Sequence, residues 1–232
     1  MSKFKRLAIL NPNTNRVTTE LMVNIAKSIS PENIIVEGHS MLLGPTVVTD
    51  EKALAASALQ IIKVGKGLAE DGVDAILIAG FGDPGLDELR KSVSIPVTGI
   101  AEAGMAAASA LGFFSIITTT PDLRHSIEGM VDKYGHSTRF NALHITPGSA
   151  QKTMQSQAVM EKALISIAVQ CEAEGSQSVL IGGGPLAVAA KSVSNSISIP
   201  VIEPVSAGVK LSLKRLGVAV ETESFNQILM AK

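Results

Sequence analysis

The 232-residue sequence predicts an α/β fold of two similar lobes, each a parallel sheet flanked by helices, with a cleft between the lobes. The first observation behind this prediction is a pattern that occurs twice. Residues 70–80 read EDGVDAILIAG and residues 173–183 read AEGSQSVLIGG, so that the copies end in Gly80 and Gly183. A duplicated chain predicts two lobes that face each other across one shared site.

The similarity between the two copies extends beyond these segments. Downstream, Ser-Ile-Pro-Val and Leu-Gly both recur, and upstream the segment at 7–14 has a fainter counterpart at 114–120. We predict that residues 1–100 with about 208–232 form lobe one, and that about 101–207 form lobe two.

The second observation is that short β-branched runs alternate with longer helical patterns. This alternation predicts parallel strands joined by right-handed crossovers. The β-branched runs predict strands at 7–10, 34–36, 75–78, 97–100, 115–118, 138–143, 179–181 and 201–202.

Helices are predicted between these strands from cap signals and from apolar residues at spacings of three and four. A Thr/Asn cap precedes the first helix, the second carries an apolar face, the third is rich in alanine and the fourth begins with Pro-Asp. The six predicted helices are 14–29, 51–70, 101–111, 121–134, 153–173 and 204–216.

Ligands of such folds bind outside the carboxyl ends of the strands, so the segments just after strands are the candidate site. Amide, hydroxyl and backbone N–H groups in these segments can cradle a carboxylate or an imide-like oxygen. The alternative is that the same residues only turn the chain and cap helices. Five segments have this composition: 11–14, 44–46, 80–85, 118–120 and 182–185.

Composition excludes several classes of function. A net charge of −1 and 3% aromatic residues give neither an electrostatic footprint nor stacking platforms for nucleic acid, and no basic patch for a membrane surface. The apolar run at 7–10 is too short for a signal peptide, and no window approaches a membrane span. With one cysteine there is no intrachain disulfide, which favours a cytoplasmic location.

Five motifs together resemble the hydantoin and allantoin racemase branch of the Asp/Glu racemase family, over residues 7 to about 215. They are Asn-Pro-Asn-Thr (11–14), Phe-Gly-Asp-Pro-Gly (81–85), Pro-Val-Thr-Gly-Ile-Ala-Glu-Ala (96–103), the threonine run (118–120) and Pro-Val-Ile-Glu-Pro-Val (200–205). The resemblance implies two pseudo-symmetric lobes, a small-molecule substrate at their interface, a homo-oligomer, and neither a metal nor an organic cofactor.

The resemblance also implies two catalytic cysteines, on opposite faces of the substrate, at the positions that Gly80 and Gly183 occupy. One thiolate would remove a proton from the carbon next to a carbonyl, and the other thiol would return it. Glycine cannot transfer a proton, so we expect two-thiol racemisation to be impaired. The residues expected to contact the substrate are Asn11, Pro12, Asn13, Thr14, Pro45, Phe81, Gly82, Thr118, Thr119 and Gly184.

Three kinds of side chain are candidate substitutes for the missing thiols: the cysteine, the histidines and Asp83. Cys171 lies on the apolar stripe of the 153–173 helix, which predicts a core residue. The four histidines have no metal-ligand spacing, and His144, just after a predicted strand, is a candidate acid or base. Asp83 is expected to close its own turn by bonding the N–H groups of that turn.

Three further charged residues have structural explanations. Glu102 and Glu203 follow equivalent strands and are expected to cap helices. Arg124 could meet a substrate anion, but a solvated helix face is the favoured interpretation. The glycine run 182–184 lacks the third glycine and the acidic residue of a dinucleotide fingerprint, so nucleotide binding is a weak alternative.

The sequence therefore predicts a racemase-family protein that binds a small hydantoin-, allantoin- or amino-acid-like molecule between two lobes. The alternatives are a binding protein without catalysis and a related lyase or decarboxylase that uses other groups. Arylmalonate decarboxylases of the same superfamily use only the second of the two cysteines, and that position is glycine here as well.

Overall fold

The computed structural model describes residues 4–219, which fold around two parallel four-stranded sheets. The first sheet contains β1 (Lys5–Asn11), β2 (Ile34–Ser40), β3 (Ala75–Ile78) and β4 (Val97–Gly99). The second contains β5 (Phe114–Thr118), β6 (Phe140–Ile145), β7 (Ser178–Ile181) and β8 (Val201–Ile202). In space the orders are β2-β1-β3-β4 and β6-β5-β7-β8. The same order occurs twice, which confirms the predicted two-lobed α/β fold.

Helices flank both sheets, and all six predicted helical regions are helical. The helices are α1 (Arg16–Ile29), α2 (Glu51–Glu70), α3 (Leu86–Ser92), α4 (Ile100–Ala110), α5 (Arg124–Lys133), α6 (Ala150–Met154), α7 (Gln157–Ala173), α8 (Ala190–Ser194) and α9 (Pro204–Arg215).

The structure differs from the sequence prediction at three places. Residues 138–139, predicted as strand, belong to a 3-10 turn, Ser137–Arg139. The predicted 153–173 helix is divided, because Ser156 caps a new helix by accepting a hydrogen bond from the N–H of Val159. The short helix α3 follows a loop rich in glycine and proline, and α8 follows directly on a 3-10 helix, Gly184–Ala189, that begins in the glycine run; neither segment has a composition that predicts a helix.

Alternate side chains along each strand enter different cores, as the period of two requires. In β1, Leu7 and Ile9 face the interior between the two sheets, whereas Ala8 and Leu10 face α2 and α3. In β7, Leu180 faces the same interior between the sheets. One apolar core therefore joins the two lobes, and each sheet has a second core on its outer face.

Helices α4 and α9 pack against each other in the central core, and each crosses to the other sheet. Helix α4 follows β4 but packs on β7 and β8, and α9 follows β8 but packs on β3 and β4. Close approach requires glycine at both crossings. A Cβ at Gly104 would lie 2.7 Å from Leu180 Cδ1, and one at Gly208 would lie 2.7 Å from Leu77 Cδ1.

Because α4 and α9 each pack on the sheet of the other lobe, these contacts do not separate the two lobes. The predicted division of the chain into lobes stays a prediction. The part of predicted lobe one at 220–232 lies outside the described residues. Among the helices between residues 4 and 219, none has both the length and the apolar character that crossing a bilayer requires.

Helix α9 begins at a buried acidic cap. The Glu203 carboxylate accepts hydrogen bonds from the N–H groups of Val205 and Ser206, both at 2.7 Å, and from the Ser206 hydroxyl at 2.6 Å. Only 8% of the residue is exposed. The predicted capping role of Glu203 is confirmed, and the cap fixes the start of a central helix.

Replacing this cap should destabilise the protein more than replacing an exposed cap. We expect Glu203→Ala to lower the free energy of unfolding by about 2 kcal/mol, because buried N–H donors lose their acceptor. The control Ser156→Ala, which removes a long 3.5 Å cap bond at the exposed start of α7, should cost about 0.5 kcal/mol. Urea denaturation at pH 7.5 measures both, and equal costs would contradict the role assigned to Glu203.

Candidate functional site

A small cavity lies where the carboxyl ends of the two sheets meet. Its volume is about 60 Å³, which holds roughly four to six water-sized groups at about 10–15 Å³ each. Lobe-one strand ends and loops, with the first turn of α2, contribute Pro12, Asn13, Val47, Val48, Leu54, Ala79, Gly80, Phe81 and Pro84. The segments after β5 and β7, with α6, contribute Thr119, Thr120, Leu123, Met154, Gly182, Gly183, Gly184, Pro185 and Leu186.

The cavity brings together seven of the residues singled out from the sequence. Both repeat-end glycines, Gly80 and Gly183, line it from the two sheets. The expected substrate contacts Pro12, Asn13, Phe81, Thr119 and Gly184 line it as well.

The other expected substrate contacts do not line the cavity but support its walls. The Asn11 amide donates to the Asn13 side-chain oxygen at 3.0 Å and to the Thr19 hydroxyl at 2.8 Å. The Thr14 N–H donates to the Pro45 carbonyl at 3.1 Å. The positive φ of Gly82 lets the loop after β3 pass close to α2, and Thr118 is described below.

The threonines after β5 connect two strand ends of lobe two. The Thr118 hydroxyl donates to the Gly182 carbonyl at 2.8 Å and lies 3.3 Å from the Thr120 hydroxyl. Thr119 is 1% exposed and lines the cavity, and within residues 4–219 the side-chain hydrogen bonds of this segment are made by the Thr118 and Thr120 hydroxyls and not by that of Thr119. Thr119 therefore presents an uncommitted polar group to the cavity, while Thr118 holds the glycine loop in place.

Asn13 presents a second uncommitted polar group from the opposite lobe. Its side-chain oxygen accepts from the Asn11 amide and from the N–H of Asn15, at 3.0 and 2.9 Å. Its NH₂ group has no partner in the described part of the chain, although the residue is only 5% exposed. A bound molecule can accept a hydrogen bond from this amide without displacing a protein partner.

The space around Gly80 is filled by a proline. A Cβ built at Gly80 would lie 2.4 Å from Pro12 Cγ and 3.1 Å from Pro12 Cδ. These separations are far shorter than a normal contact between carbon atoms. Any side chain at position 80 therefore requires the Pro12 ring to move.

The space around Gly183 is open by comparison. A Cβ there would lie 3.5 Å from Leu186 Cγ, an ordinary contact distance. The constraint at this position is the backbone, since φ is +151°, a value that favours glycine. The two equivalent repeat ends therefore differ, one being closed by packing and the other restricted only by backbone conformation.

The apolar wall of the cavity was not predicted from the sequence. Val47 and Val48 follow the segment 44–46 that the sequence singled out, and Leu54 belongs to the predicted apolar face of α2. Leu123 and Met154 come from lobe two. The chain order gives no sign that these distant segments meet, although each has an apolar side chain close to a strand end.

None of the cavity-lining residues among residues 4–219 is acidic, basic, histidine, cysteine or tyrosine. The candidate His144 instead pairs with Glu174, Nε2 to Oε2, at 2.9 Å. Arg124 pairs with Glu128 on the exposed face of α5. Within the same residues, no three His, Cys, Asp or Glu side chains are grouped as metal ligands.

Cys171 is a core residue, as the sequence predicted. It is fully buried among apolar residues of α7 and β7 on the outer face of the second sheet. Burial raises the pKa of its thiol to about 11. A thiol that is protonated at neutral pH and does not line the cavity cannot replace a catalytic cysteine.

Asp83 has a different role from the one predicted, because its carboxylate does not bond the N–H groups of its own turn. It accepts from the N–H groups of Ala101 and Glu102, at 3.0 and 2.7 Å, and from the Tyr134 hydroxyl at 2.8 Å. The carboxylate thus caps α4 from the loop after β3. Gly99 is required beside it, since a Cβ there would lie 2.2 Å from Asp83 Cγ.

Burial raises the pKa of the Asp83 carboxyl to about 6, although the hydrogen bonds it accepts favour the charged form. The backbone of Asp83 has a φ of +43°, which is uncommon outside glycine and holds the side chain toward α4. Asp83 therefore connects the loop that carries Gly80 to the first turn of the central helix.

Glu102 binds arginines as well as contributing to a cap. Its carboxylate accepts from Arg90 at 2.9 Å and from Arg215 at 2.9 Å, but lies 3.5 Å from the N–H of Gly99. Hydrogen bonds from Arg215 and the charges of both arginines lower its pKa against the opposing effect of burial. The predicted cap is therefore present but weak, and the ion pairs connect α3, α4 and α9.

Comparison with known proteins places these features in a family. A family model described as Asp/Glu/Hydantoin racemase matches residues 7–212. A hydantoin racemase of Pseudomonas sp. (strain NS671) is 32% identical over 212 residues, which are 89% of this chain and 84% of the relative.

Solved structures show the same similarity. An allantoin racemase from Klebsiella pneumoniae superposes with a TM-score of 0.86 at 28% identity, covering 94% of this chain and 91% of that one. A maleate isomerase from Pseudomonas putida S16 has the same fold, with a TM-score of 0.69 at 15% identity over 92% and 93% of the two chains.

The raised pKa of Asp83 predicts a pH-dependent stability that Asp83→Asn should remove. The folded protein binds a proton at about pH 6 that the unfolded chain binds only near pH 4. This contribution to stability is therefore fully present below pH 4 and is lost as the pH rises through 6. Its size is at most about 3 kcal/mol.

Urea denaturation of the unmodified protein and of Asp83→Asn at several pH values between 4 and 8 isolates this contribution. The difference in unfolding free energy between the two proteins should change with pH below about 7. Asp87→Asn, which removes an exposed carboxylate paired with Lys133, is the matched control. A pH-independent difference for Asp83→Asn would show that its carboxyl titrates normally.

Proposed function

This chain belongs to the Asp/Glu/hydantoin racemase family, and from that premise we propose that it binds a small cyclic imide or ureide without racemising it by two thiols. One observation carries the proposal. Gly80 and Gly183 line the same cavity from opposite lobes, and no titratable side chain lines that cavity in the described part of the chain. A ligand can therefore bind between the two positions, but no side chain there can transfer its proton.

The polarity of the cavity favours an uncharged ligand. The Asn13 amide and the hydroxyls of Thr119 and Thr120 are neutral hydrogen-bonding groups. No lysine or arginine from the described residues lines the cavity, so a free carboxylate would be buried there without a counter-charge. Of the three expected ligand classes, hydantoin-like rings and neutral ureides fit better than free amino acids.

The apolar wall provides room for a substituent on the ring. Val47, Val48, Leu54, Leu123 and Met154 are grouped along the cavity. An aliphatic or aromatic substituent placed against them would be removed from water, which stabilises a complex by roughly 0.8 kcal/mol per CH₂ group.

The lack of a titratable side chain among the described cavity-lining residues also argues against the alternative of a decarboxylase or lyase. After carbon dioxide leaves, the remaining carbanion must be protonated by a positioned acid, which typically contributes about 10²–10⁴ in rate. The cavity offers hydrogen-bond donors that could stabilise an enolate oxygen. Among the described residues that line it there is no proton donor of suitable pKa, so binding without turnover is the function that this chemistry favours.

We further propose a cytoplasmic location, consistent with the single cysteine, and assembly as a homo-oligomer. The expectations of no cofactor, no metal and no nucleic-acid partner stay predictions.

Ligand binding is tested by thermal unfolding with a matched pair of compounds. We expect 5-isopropylhydantoin to raise the midpoint temperature by about 5–10 °C at a concentration 100 times its Kd. The ring-opened N-carbamoyl-valine has the same substituent but carries a carboxylate, and should raise it far less. Stabilisation by the ring-opened compound alone would contradict the preference for an uncharged ligand.

The contribution of Thr119 can be separated from general stability by Thr119→Val, which removes a hydroxyl and keeps the shape. We expect 5-isopropylhydantoin to bind roughly 3–10 times more weakly by isothermal titration calorimetry. Thr138→Val, at an exposed turn remote from the cavity, should leave the affinity unchanged. An unchanged affinity in Thr119→Val would remove this hydroxyl from the site.

Proton transfer should be restored only when both thiols are restored. Pro12→Ala removes the Cγ and Cδ atoms that obstruct a side chain at position 80, whereas cysteine at position 183 requires the backbone to move away from its φ of +151°. We expect the triple variant Pro12→Ala, Gly80→Cys, Gly183→Cys to racemise 5-isopropylhydantoin. Pro12→Ala, Gly183→Cys should at most exchange the α-proton without inversion. Circular dichroism of the hydantoin and NMR in D₂O measure these two outcomes.

The matched control carries serine at both glycine positions on the Pro12→Ala background, because serine has a similar size but lacks an acidic thiol. Each positioned acid or base is worth about 10²–10⁴ in rate, so the serine variant should stay near the uncatalysed rate. Rapid racemisation by the unmodified protein would contradict the proposed function directly.

A further inference from the structure

The two sides of the cavity are equivalent in strand register but differ in residue type. The last paired residues are Leu10 with Ile78 in the first sheet and Ile117 with Ile181 in the second. Two positions further along, Pro12 is the counterpart of Thr119, and Gly80 is the counterpart of Gly183. All four of these residues line the cavity. One side of the cavity therefore has a proline where the other has a threonine.

Pro12 turns the Gly80 side of the cavity into a wall. A Cβ at Gly80 would lie 2.4 Å from Pro12 Cγ, so the proline ring occupies the space that a side chain at position 80 would fill. The ring is buried and lies between two residues that hydrogen bonds hold in place. The Asn11 amide donates to the Asn13 side-chain oxygen, and the N–H of Met41 donates to the Asn13 carbonyl, both at 3.0 Å. Retreat of the ring would disturb these contacts.

The Gly183 side has room for a carbon atom. A Cβ there would lie 3.5 and 3.6 Å from Leu186 Cγ and Cδ1, and 3.9 Å from Pro185 Cδ, which are ordinary contact distances. These are its three nearest neighbours among the described residues, so no atom of Thr119 comes closer than 3.9 Å. Because the neighbours are apolar carbons, this side suits an apolar group.

A substituted ring carbon would respond to this difference between the two sides. In a 5-substituted hydantoin, C5 bears a hydrogen and a substituent, which point to opposite faces of the ring. When C5 lies between Gly80 and Gly183, one of these groups points toward each glycine. A hydrogen is small enough to lie against the Pro12 ring, whereas a carbon atom there would overpack the wall. The mirror-image ligand places its carbon on that side.

The mirror image cannot recover its fit by turning over within the cavity. C5 is flanked by a carbonyl in one direction around the ring and by an N–H in the other. A ring whose carbonyl accepts from the Asn13 NH₂ group would, after turning over, bring its N–H against the same donor. Two donors cannot bond each other, so the turned ring loses a hydrogen bond.

We propose that the cleft binds one enantiomer of a 5-substituted hydantoin, with the C5 hydrogen against Pro12 and the substituent on the Gly183 side. Pro12 is then the residue that determines the stereochemical preference. This inference rests on the proposed function, because it concerns the same ligand and the same cavity. A protein that binds one mirror image and does not move its proton selects that form from a mixture.

The same wall excludes a ligand that has no hydrogen on this carbon. In 5-isopropyl-5-methylhydantoin a methyl group replaces the hydrogen, so a carbon atom faces Pro12 in both enantiomers. We expect each of them to bind roughly 10 times or more weakly than the preferred enantiomer of 5-isopropylhydantoin.

The test is isothermal titration calorimetry with the separate enantiomers of 5-isopropylhydantoin. The unmodified protein should bind one of them roughly 10 times or more tightly than the other. In Pro12→Ala the ratio should fall to about 3 or less, because the weaker enantiomer gains room. The control Pro31→Ala changes a proline that lies in the turn between α1 and β2 and does not line the cavity, and should keep the original ratio. Circular dichroism after each titration verifies that the ligand has not racemised in buffer.

Equal affinities for the two enantiomers in the unmodified protein overturn this inference and leave the proposed function standing. A ratio that Pro12→Ala leaves unchanged, or that Pro31→Ala also removes, overturns the role of Pro12. If Pro12→Ala does not fold, the methylated ligand decides with the unmodified protein, and binding as tight as that of the preferred enantiomer overturns the inference. Failure of both enantiomers of 5-isopropylhydantoin to bind overturns the proposed function and this inference together.

Discussion

The packing of α4 against α9 between the two sheets determines where the rest of the structure can lie. Each helix follows a strand of one sheet and packs on the other sheet. A shift of either sheet would therefore also displace the helix that is connected to the other sheet. Gly104 and Gly208 make this possible, because a Cβ at either position would collide with a leucine of the sheet beneath. The carboxyl ends of both sheets consequently meet at one cleft. Asp83 reinforces this arrangement by joining the loop after β3 to the first turn of α4.

The two repeat ends that face this cleft have diverged in their surroundings. Gly80 is closed by the Pro12 ring, whereas a Cβ at Gly183 would make only ordinary contacts and the position is restricted by its positive φ. Gly80 and Gly183 occupy equivalent positions of the two repeats but have different neighbours. The lack of a side chain is therefore required by packing at Gly80 and by backbone conformation at Gly183. The cleft retains neutral hydrogen-bonding groups from both lobes, and these groups suit binding better than proton transfer.

Much of this fold was predictable, because its strands are short and nearly continuous apolar runs, as in parallel strands that are buried on both faces, and because the repeated segments are recognisable in the sequence. The seven cavity-lining residues singled out from the sequence share one property, which is that they follow directly after strands. Residues such as Val48 and Met154 were missed, because their approach to the cavity depends on how distant loops pack. The role of Asp83 was predicted wrongly for the same reason. A Gly-Asp-Pro-Gly segment normally closes its own turn, and only the tertiary position of α4 offers its carboxylate better donors.

The central claim is that this cleft binds its ligand without moving the ligand's proton. It is tested most directly by recording NMR spectra of the unmodified protein with 5-isopropylhydantoin in D₂O, so that binding and proton exchange are observed in one sample. The account predicts saturable line broadening of the hydantoin signals, while the α-proton signal decays no faster than in buffer alone. Loss of that signal at a rate proportional to protein concentration would contradict it, because a group in the cleft would then be removing the proton.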